Sequence, residues 1–428
     1  MRQHDNHARP DAVLSGGQLA AIATAARVCA RPVRLRGWRT VADAVTGEVI
    51  SAVRSDEQPG GVIEVPCGNR RAAVCPSCAW LYKGDLWQVM AAGLRGGHGI
   101  PETVSQHPAV SVTLTAPSFG LVHRGPGRDG QPVRCRPRHD RPVCQHGQPA
   151  SCGRTHRDGE QLLGQPLCAE CFDYAGAVLF NAVVPELWAA FTRALPSAAA
   201  REAGISRAVL RSHLRISSGK VIEYQDRGLV HVHAVIRADG PDGAGDDPPP
   251  WASADLLKTA ALSAASVPSV TLPHPGDSGS MLTLSWGSQA DVRAVRRGIG
   301  GELNEAKVAA YIAKYASKAT EDAGGIPVPI RSAADLAEWN VTPHGWRLIT
   351  ACWQLARREE YADLKLARWA HQYGFGGHFS TRSRRWGVTL TQRRQQRQAW
   401  HDSHDGDAGG QVIVLSEWHY AGTGDPPG

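Results

Sequence analysis

The sequence predicts an α+β fold, strands paired antiparallel and flanked by helices, with a cysteine-rich module inserted and a basic region toward the C-terminus. Three observations carry this. Residues 107–120, HPAVSVTLTAPSFG, alternate Val110, Val112 and Leu114 with Ser111, Thr113 and Thr115, the period of a half-buried strand. Residues 214–237, LRISSGKVIEYQDRGLVHVHAVIR, read as two strands joined through Asp226-Arg227-Gly228, a tight turn. Helical patterns lie between and after these strands, DYAGAVLFNAVVPELWAAFTRAL within 173–212 and a second run within 300–325.

Taken in order, residues 1–60 read as an N-terminal segment, polar and disordered at its start, with a short helix at GQLAAIATAARVC. Residues 61–175 form a cysteine-rich zinc-binding region that includes the 107–120 strand. Residues 176–325 form the core that carries the chemistry, interrupted by the loop ADGPDGAGDDPPPWAS at 238–253. Residues 326–403 form a basic region and 404–428 a tail. The length, 428 residues, suits two or three modules. No apolar run approaches a membrane span and MRQHDNHARPDAVLSGG has no apolar signal core, so a cytoplasmic protein without a membrane partner is expected.

The formal charge of +7 suggests an anionic partner. Seven of the 47 basic residues are Lys and 40 are Arg, as a GC-rich genome would produce, so the placement of charge says more than its sum. Three of the seven lysines, Lys307, Lys314 and Lys318, fall within twelve residues.

Without an export signal, disulfides are not expected, and clustered thiols call for a metal. Eight of the ten cysteines are Cys67, Cys75, Cys78, Cys135, Cys144, Cys152, Cys168 and Cys171. CGNRRAAVCPSC supplies three ligands ending in C-x-x-C, PLCAEC supplies a second C-x-x-C, and CRPRHDRPVCQHGQPASCGRTH adds further Cys and His. A tetrahedral Zn²⁺ takes four such groups. The inventory suits two structural zincs, one held by Cys144, Cys152, Cys168 and Cys171 and the other built from Cys67, Cys75 and Cys78. The alternative is a set of free buried thiols, and zinc by itself identifies no chemistry.

In GLVHVHAVIRADG (228–240), strand geometry sends His231 and His233 to one side and Val230, Val232, Ala234 and Ile236 to the core side. The histidines are then expected to line a surface. Two imidazoles at that spacing can grip one metal ion, although an isolated H-x-H serves equally as a surface pair. GGELNEAKVAAYIAKYASKATEDAGG, bounded by glycines and free of proline, reads as a helix of about five turns. Lys307, Tyr311, Lys314, Tyr315 and Lys318 share one sector of it, opposite Val308, Ala309, Ile312, Ala313 and Ala316. Either the tyrosines pack at the core edge beside solvated lysines, or a phenol is kept nucleophilic by neighbouring cations and a metal and attacks a phosphodiester.

In order along the chain, VTLTAPSF, HVHAV and YIAKYASK resemble the three motifs of the HUH endonuclease superfamily. The resemblance is closest to rolling-circle replication initiators of actinobacterial plasmids and integrative elements, through CGNRR and VCPSC, EYQDRGLVHVHAV and GFGGHF, and it covers roughly residues 60–400. It implies an HUH-type antiparallel sheet on which His231, His233 and a third ligand hold Mg²⁺ or Mn²⁺. Glu223 is the preferred third ligand and Gln225 the second choice. It implies nicking of one strand of duplex origin DNA, a 5′-phosphotyrosine link and a free 3′-hydroxyl for a polymerase. Tyr315 is the implied nucleophile, in a K-Y-x-x-K segment with Lys314 and Lys318; Tyr311 is either a second nucleophile, as in paired-tyrosine initiators, or a spectator.

Residues 364–401 contain no Asp or Glu but hold Lys365, Arg368, Arg382, Arg384, Arg385, Arg393, Arg394 and Arg397 among Trp369, Tyr373, Phe375, Phe379 and Trp386. Such a mixture suits contact with the DNA backbone and stacking on unpaired bases. Gly374, Gly376 and Gly377 would let a loop approach a phosphate. No Walker motif is present, so a host helicase is expected alongside the polymerase. Two other functions fit part of the pattern: a non-catalytic zinc-containing DNA-binding regulator, and a conjugative relaxase.

Overall fold

A computed structural model describes residues 28–127, 130–137, 143–295, 305–316, 325–396 and 412–424. For residues 305, 306, 312, 313, 315, 316 and 412 it describes the backbone alone. The disordered start and nearly all of the short helix expected at 17–29 lie outside the described residues. The chain divides into two compact units, residues 1–89 with 388–428, and residues 90–387.

In the first unit, β1 (Val33–Asp43) pairs antiparallel with β2 (Val49–Arg54) and with β3 (Ile63–Val65). The helix α1 (Pro76–Arg95) begins in this unit. The tail supplies a strand, Val412–Thr423, which pairs with β1 along its whole length.

The second unit is built on an antiparallel sheet. In chain order its elements are β4 (Ala109–Leu114), α2 (Tyr174–Glu202), α3 (Arg207–His213), β5 (Arg215–Tyr224), β6 (Val230–Asp239), α4 (Ala254–Ala265), β7 (Ser269–Pro273), β8 (Met281–Ser285) and β9 (Asp291–Ala294). There follow α5 (Glu305–Ala316), α6 (Ala333–Ala337), α7 (Pro343–Leu355) and β10 (Ser380–Arg382); the tail strand is β11. The sheet order is β10-β5-β6-β4-β9, every pair antiparallel, and β7–β8 form a separate hairpin.

Cross-strand register fixes two faces, because directly opposed residues point the same way. Val110, Val112, Leu114, Ile222, Val230, Val232, Ala234, Ile236 and Val292 form one face and share a buried core with α2, α4 and α7. The helix α2 is capped by the Asp173 carboxylate, which accepts from the Gly176 N–H at 2.8 Å. It is long and apolar enough by length and composition to cross a membrane, yet Val178, Phe180, Val183, Leu187 and Phe191 are buried in this core. The segment after α7 also joins the core: Tyr361, Leu366, Tyr373 and Phe375 are all buried.

The other face carries His231 and His233. The sequence expected these histidines to line a surface; α5 packs on β5, leaving His231 half-buried and His233 only 3% exposed. Of the expected five-turn helix, twelve residues fall within the described structure.

Candidate active site and metal centres

The β5–β6 hairpin builds the site. Glu223 stands opposite His231, and Val221 opposite His233. On the other side of β6, Thr113 stands opposite His233 and is itself paired with Asp291 of β9. The two imidazole rings lie 4.7 Å apart, as their shared face requires. Glu223 Oε2 is 2.9 Å from His233 Nε2, and Thr113 Oγ1 is 3.4 Å from His233 Nδ1. Gln225, the second choice for a ligand, begins the turn, and its Oε1 accepts from Arg227 Nε at 2.9 Å.

The tip of the hairpin is held from three sides. Gly228 takes a left-handed φ of 75°, and a Cβ there would lie 2.4 Å from Leu348 Cδ1. Asn181, fully buried in α2, donates to the carbonyls of Gly228 and Tyr373 at 2.9 and 3.0 Å and accepts from the Val230 N–H at 2.9 Å. Arg227 donates to the carbonyls of Ala116 and Pro117, both at 3.0 Å, and its burial holds its pKa down to about 10. The sequence reading missed Asn181 and Thr113. The lone amide in the apolar run VLFNAVV was the available signal for the first.

Tyr311 of α5 meets His233 edge to face, with ring centroids 5.0 Å apart, and remains 39% exposed. Lys307 and Lys314 are exposed on the same helix. The Tyr315 side chain and all of Lys318 lie outside the described residues.

Farther along this face is a buried ionic knot. Arg237 and Asp239 are both fully buried and paired; Asp239 also accepts from Ser217 Oγ at 2.7 Å and contacts His107 Nδ1 at 2.8 Å. Its neighbours hold the Asp239 carboxyl below its ordinary range against the opposing effect of burial. Arg237 donates to the Gly93 carbonyl and lies 5.2 Å from the Trp386 ring.

Among the described residues, three groups of four donors converge, each with its ligand atoms within 4.8 Å of one another: Cys29, Cys67, Cys75 and Cys78; His123, Cys135, Cys152 and His156; Cys144, His146, Cys168 and Cys171. This corrects the expected pairing in two ways. The count is three groups, where two were expected, and Cys152 leaves the set containing Cys144, Cys168 and Cys171, where His146 takes its place. Cys29 completes the set of Cys67, Cys75 and Cys78. Cys352, buried in α7, belongs to none of them. Within these groups desolvation and the hydrogen bonds between neighbouring thiols raise Cys67, Cys78 and Cys171, while hydrogen bonds draw Cys75 and Cys144 down against desolvation.

The family described as RepSA, "Replication initiator protein, pSAM2", matches residues 16–428. The chain belongs to this replication initiator family. A replication initiator protein of Streptomyces ambofaciens is 42% identical over 414 residues, which cover 93% of this chain and 85% of that relative. No solved structure matches.

In this initiator the expected DNA-contact residues are dispersed. Arg384 and Arg385 are exposed, with Arg385 donating to the Pro241 carbonyl at 2.9 Å; Arg382 is half-buried in β10. Arg394 is exposed and Arg393 half-buried, both in the first unit; Arg397 lies outside the described residues. The aromatic stacking expected beside them is corrected at three of the five positions: Trp386, Tyr373 and Phe375 are buried and fill the interior, while Trp369 and Phe379 are half-buried. The glycines expected to approach a phosphate instead make room for protein atoms. A Cβ on Gly376 would fall 2.5 Å from the Trp369 ring, and one on Gly374 2.7 Å from the Val178 carbonyl.

Proposed function

We propose that this initiator starts replication by nicking one strand of its origin DNA, with a tyrosine of α5 as the nucleophile. The observation that carries the reading is the contact of Tyr311 with His233, which is itself bonded to Glu223 on the facing strand. A phenol, two imidazoles and a carboxylate thus meet on one side of one sheet. The HUH-type reading of the fold rests on this arrangement and on the three sequence motifs.

Tyr315 is the proposed nucleophile, and Tyr311, one helical turn away on the same side, the second phenol. The phenol gives up its proton as its oxygen attacks phosphorus in line, the bond from phosphorus to the 3′-oxygen breaks, and the departing oxygen takes up one proton, so that the step is proton-neutral overall and leaves a free 3′-hydroxyl. The 5′-phosphate stays on the tyrosine, and the ester retains the energy of the broken bond for later joining. Lys314 and Lys318 neutralise the DNA backbone beside the attack.

His231, His233 and Glu223 are proposed to hold a catalytic Mg²⁺ or Mn²⁺; in this structure His233 and Glu223 stand at ligand spacing, while the three together are not among the converging donor groups of the described residues. His233 Nε2 and Glu223 Oε2, 2.9 Å apart, would both donate to an ion bound there. With the Nδ1 proton directed to Thr113 Oγ1, 3.4 Å away, His233 would offer its Nε2 lone pair to the ion. The ion supplies Lewis-acid polarisation of a phosphate oxygen. Zinc is the proposed occupant of the Cys29 and Cys144 groups. Arg384, Arg385, Arg393, Arg394 and Arg397 are proposed to contact duplex and single-stranded origin DNA, with a host helicase and polymerase taking over at the nick.

The test is incubation of the purified protein with Mg²⁺ or Mn²⁺ and supercoiled DNA of its own replicon, scoring nicked circles and protein-linked DNA after denaturation. Tyr315→Phe and His231→Ala should each lose the adduct by about 10³-fold or more. Tyr311→Phe should retain the first nick and lose the second transfer. Tight metal-independent binding without nicking by the wild-type protein would replace this reading with that of a zinc-containing DNA-binding regulator.

A further inference from the structure

We propose that His123, Cys135, Cys152 and His156 form a third zinc site, of mixed Cys₂His₂ type, which pins the tip of the histidine hairpin. The inference is independent of whether the initiator nicks DNA.

Distances identify the ion class. In a tetrahedron with Zn–N bonds of about 2.0 Å and Zn–S bonds of about 2.3 Å, the donor separations are about 3.3 Å for N···N, 3.5 Å for N···S and 3.8 Å for S···S. Here His123 Nδ1 lies 3.2 Å from His156 Nε2, Cys152 Sγ lies 3.4 Å from His156 Nε2, and Cys135 Sγ lies 3.7 Å from His123 Nδ1. The Cys29 group obeys the same rule for sulfur, with Cys29 Sγ 3.8 Å from both Cys75 and Cys78. A hydrogen bond can account for one such approach; three approaches at tetrahedral donor spacing within one group of four donors point to a shared cation.

The surrounding groups are those of a metal centre. His156, 1% exposed, turns its other nitrogen to Glu160 Oε2 at 2.8 Å. Glu160 is itself fixed by the Arg157 N–H at 2.8 Å. A carboxylate behind a histidine ligand sets its tautomer and raises its basicity. On the opposite side, the Arg124 N–H donates to Cys135 Sγ at 3.3 Å.

The ligands also join separate stretches of chain to the hairpin. Cys135 lies on a short ribbon with 153–155, through Cys135 N–H to the Arg154 carbonyl at 2.7 Å and Gly153 N–H to the Cys135 carbonyl at 2.8 Å. His123 pairs with the 164–165 turn, donating from its N–H to the Gln165 carbonyl at 2.9 Å and accepting from the Gly164 N–H at 3.0 Å. Gly164 lies against the hairpin tip so closely that a Cβ would sit 2.1 Å from the Asp226 carbonyl carbon. Asp226 follows Glu223 by three residues, and the same turn leads into His231. A metal at His123 therefore fixes the buttress on which the strands carrying Glu223 and His231 turn.

The test is elemental analysis of the purified full-length protein, joined to chelator competition and hydrogen exchange. Wild type should carry three zinc ions per chain, one for each group. Cys152→Ser should carry two, and His156→Cys, which keeps four donors at the site, should still carry three. Glu160→Gln should keep three but release one to a chromogenic chelator about 10–100-fold more readily, with faster exchange at the amides of 222–233. Two zincs in wild type, or three retained in Cys152→Ser, would overturn the proposal. If Cys152→Ser fails to fold, wild-type stoichiometry and release from Glu160→Gln decide it. Unchanged exchange at 222–233 in Glu160→Gln, with zinc loosened, would overturn the positioning role.

Discussion

Single residues show how far a side chain's chemistry depends on where it is buried. Trp386 stands in the sequence beside arginines, as a base-stacking residue would, yet its ring is buried beneath Arg237 and against Gly93, where a Cβ would come within 2.3 Å of it. Trp386→Ala should cost about 3–5 kcal/mol of stability, read as a lowered denaturant midpoint. His344 lies between Tyr174 and the backbone of the hairpin tip, with Nδ1 3.2 Å from the Tyr174 hydroxyl and Nε2 3.0 Å from the Arg227 carbonyl. Burial lowers its pKa from 6.5 to about 4. Between these values the unfolded chain binds a proton that the folded chain refuses, so stability is full above pH 6.5 and is lost progressively as pH falls toward 4. The loss approaches about 3 kcal/mol. His344→Gln should remove that part of the pH dependence, measured as the difference in urea midpoint between pH 7 and pH 5.

At the scale of elements, the hairpin of β5 and β6 brings His231, His233 and Glu223 to one face of the sheet. Its parity was legible in HVHAV because side chains alternate along any strand. Its support was not, since Asn181 and Gly164 reach it from distant parts of the chain. Asn181→Ala leaves the Gly228 carbonyl and Val230 N–H of the buried turn, and the Tyr373 carbonyl packed on it, without their amide, and should cost about 3 kcal/mol or more in equilibrium unfolding. Gly164→Ala, at φ 75° and against the Asp226 backbone, should also destabilise the unit and speed exchange of the 222–233 amides. The helix α5 was legible as an amphipathic segment with its tyrosines and lysines on one side. That Tyr311 faces His233 depended on how this helix lies across β5.

At the scale of the whole molecule, the basic residues between 382 and 394 divide between the two compact units. Arg384 and Arg385 are exposed, so their joint replacement by Ala should leave the melting temperature unchanged. On the DNA-binding reading it should reduce the slope of log K against log salt by about 1.4–1.8, since each phosphate that the protein no longer neutralises removes about 0.7–0.9. An unchanged slope would remove this pair from the DNA surface. The metal groups are divided as well, one in the first unit and two in the second. On the zinc reading, chelation should loosen both, seen as faster proteolysis within 29–78 and within 121–171.

What the sequence determined by itself is local: the facing of His231 and His233, the tight turn at Gly228, the helix carrying Tyr311 and Tyr315, and the two C-x-x-C pairs. Each follows from a backbone period or a spacing of a few residues. Tertiary structure decided which cysteines and histidines meet, joining Cys29 to Cys67, Cys75 and Cys78, and moving Cys152 to His123, Cys135 and His156. It also decided that the histidine side of the sheet is covered and that Trp386, Tyr373 and Phe375 are interior. The physical reason is that metal ligation and burial depend on which distant segments close on one another, and spacing along the chain does not encode that closure.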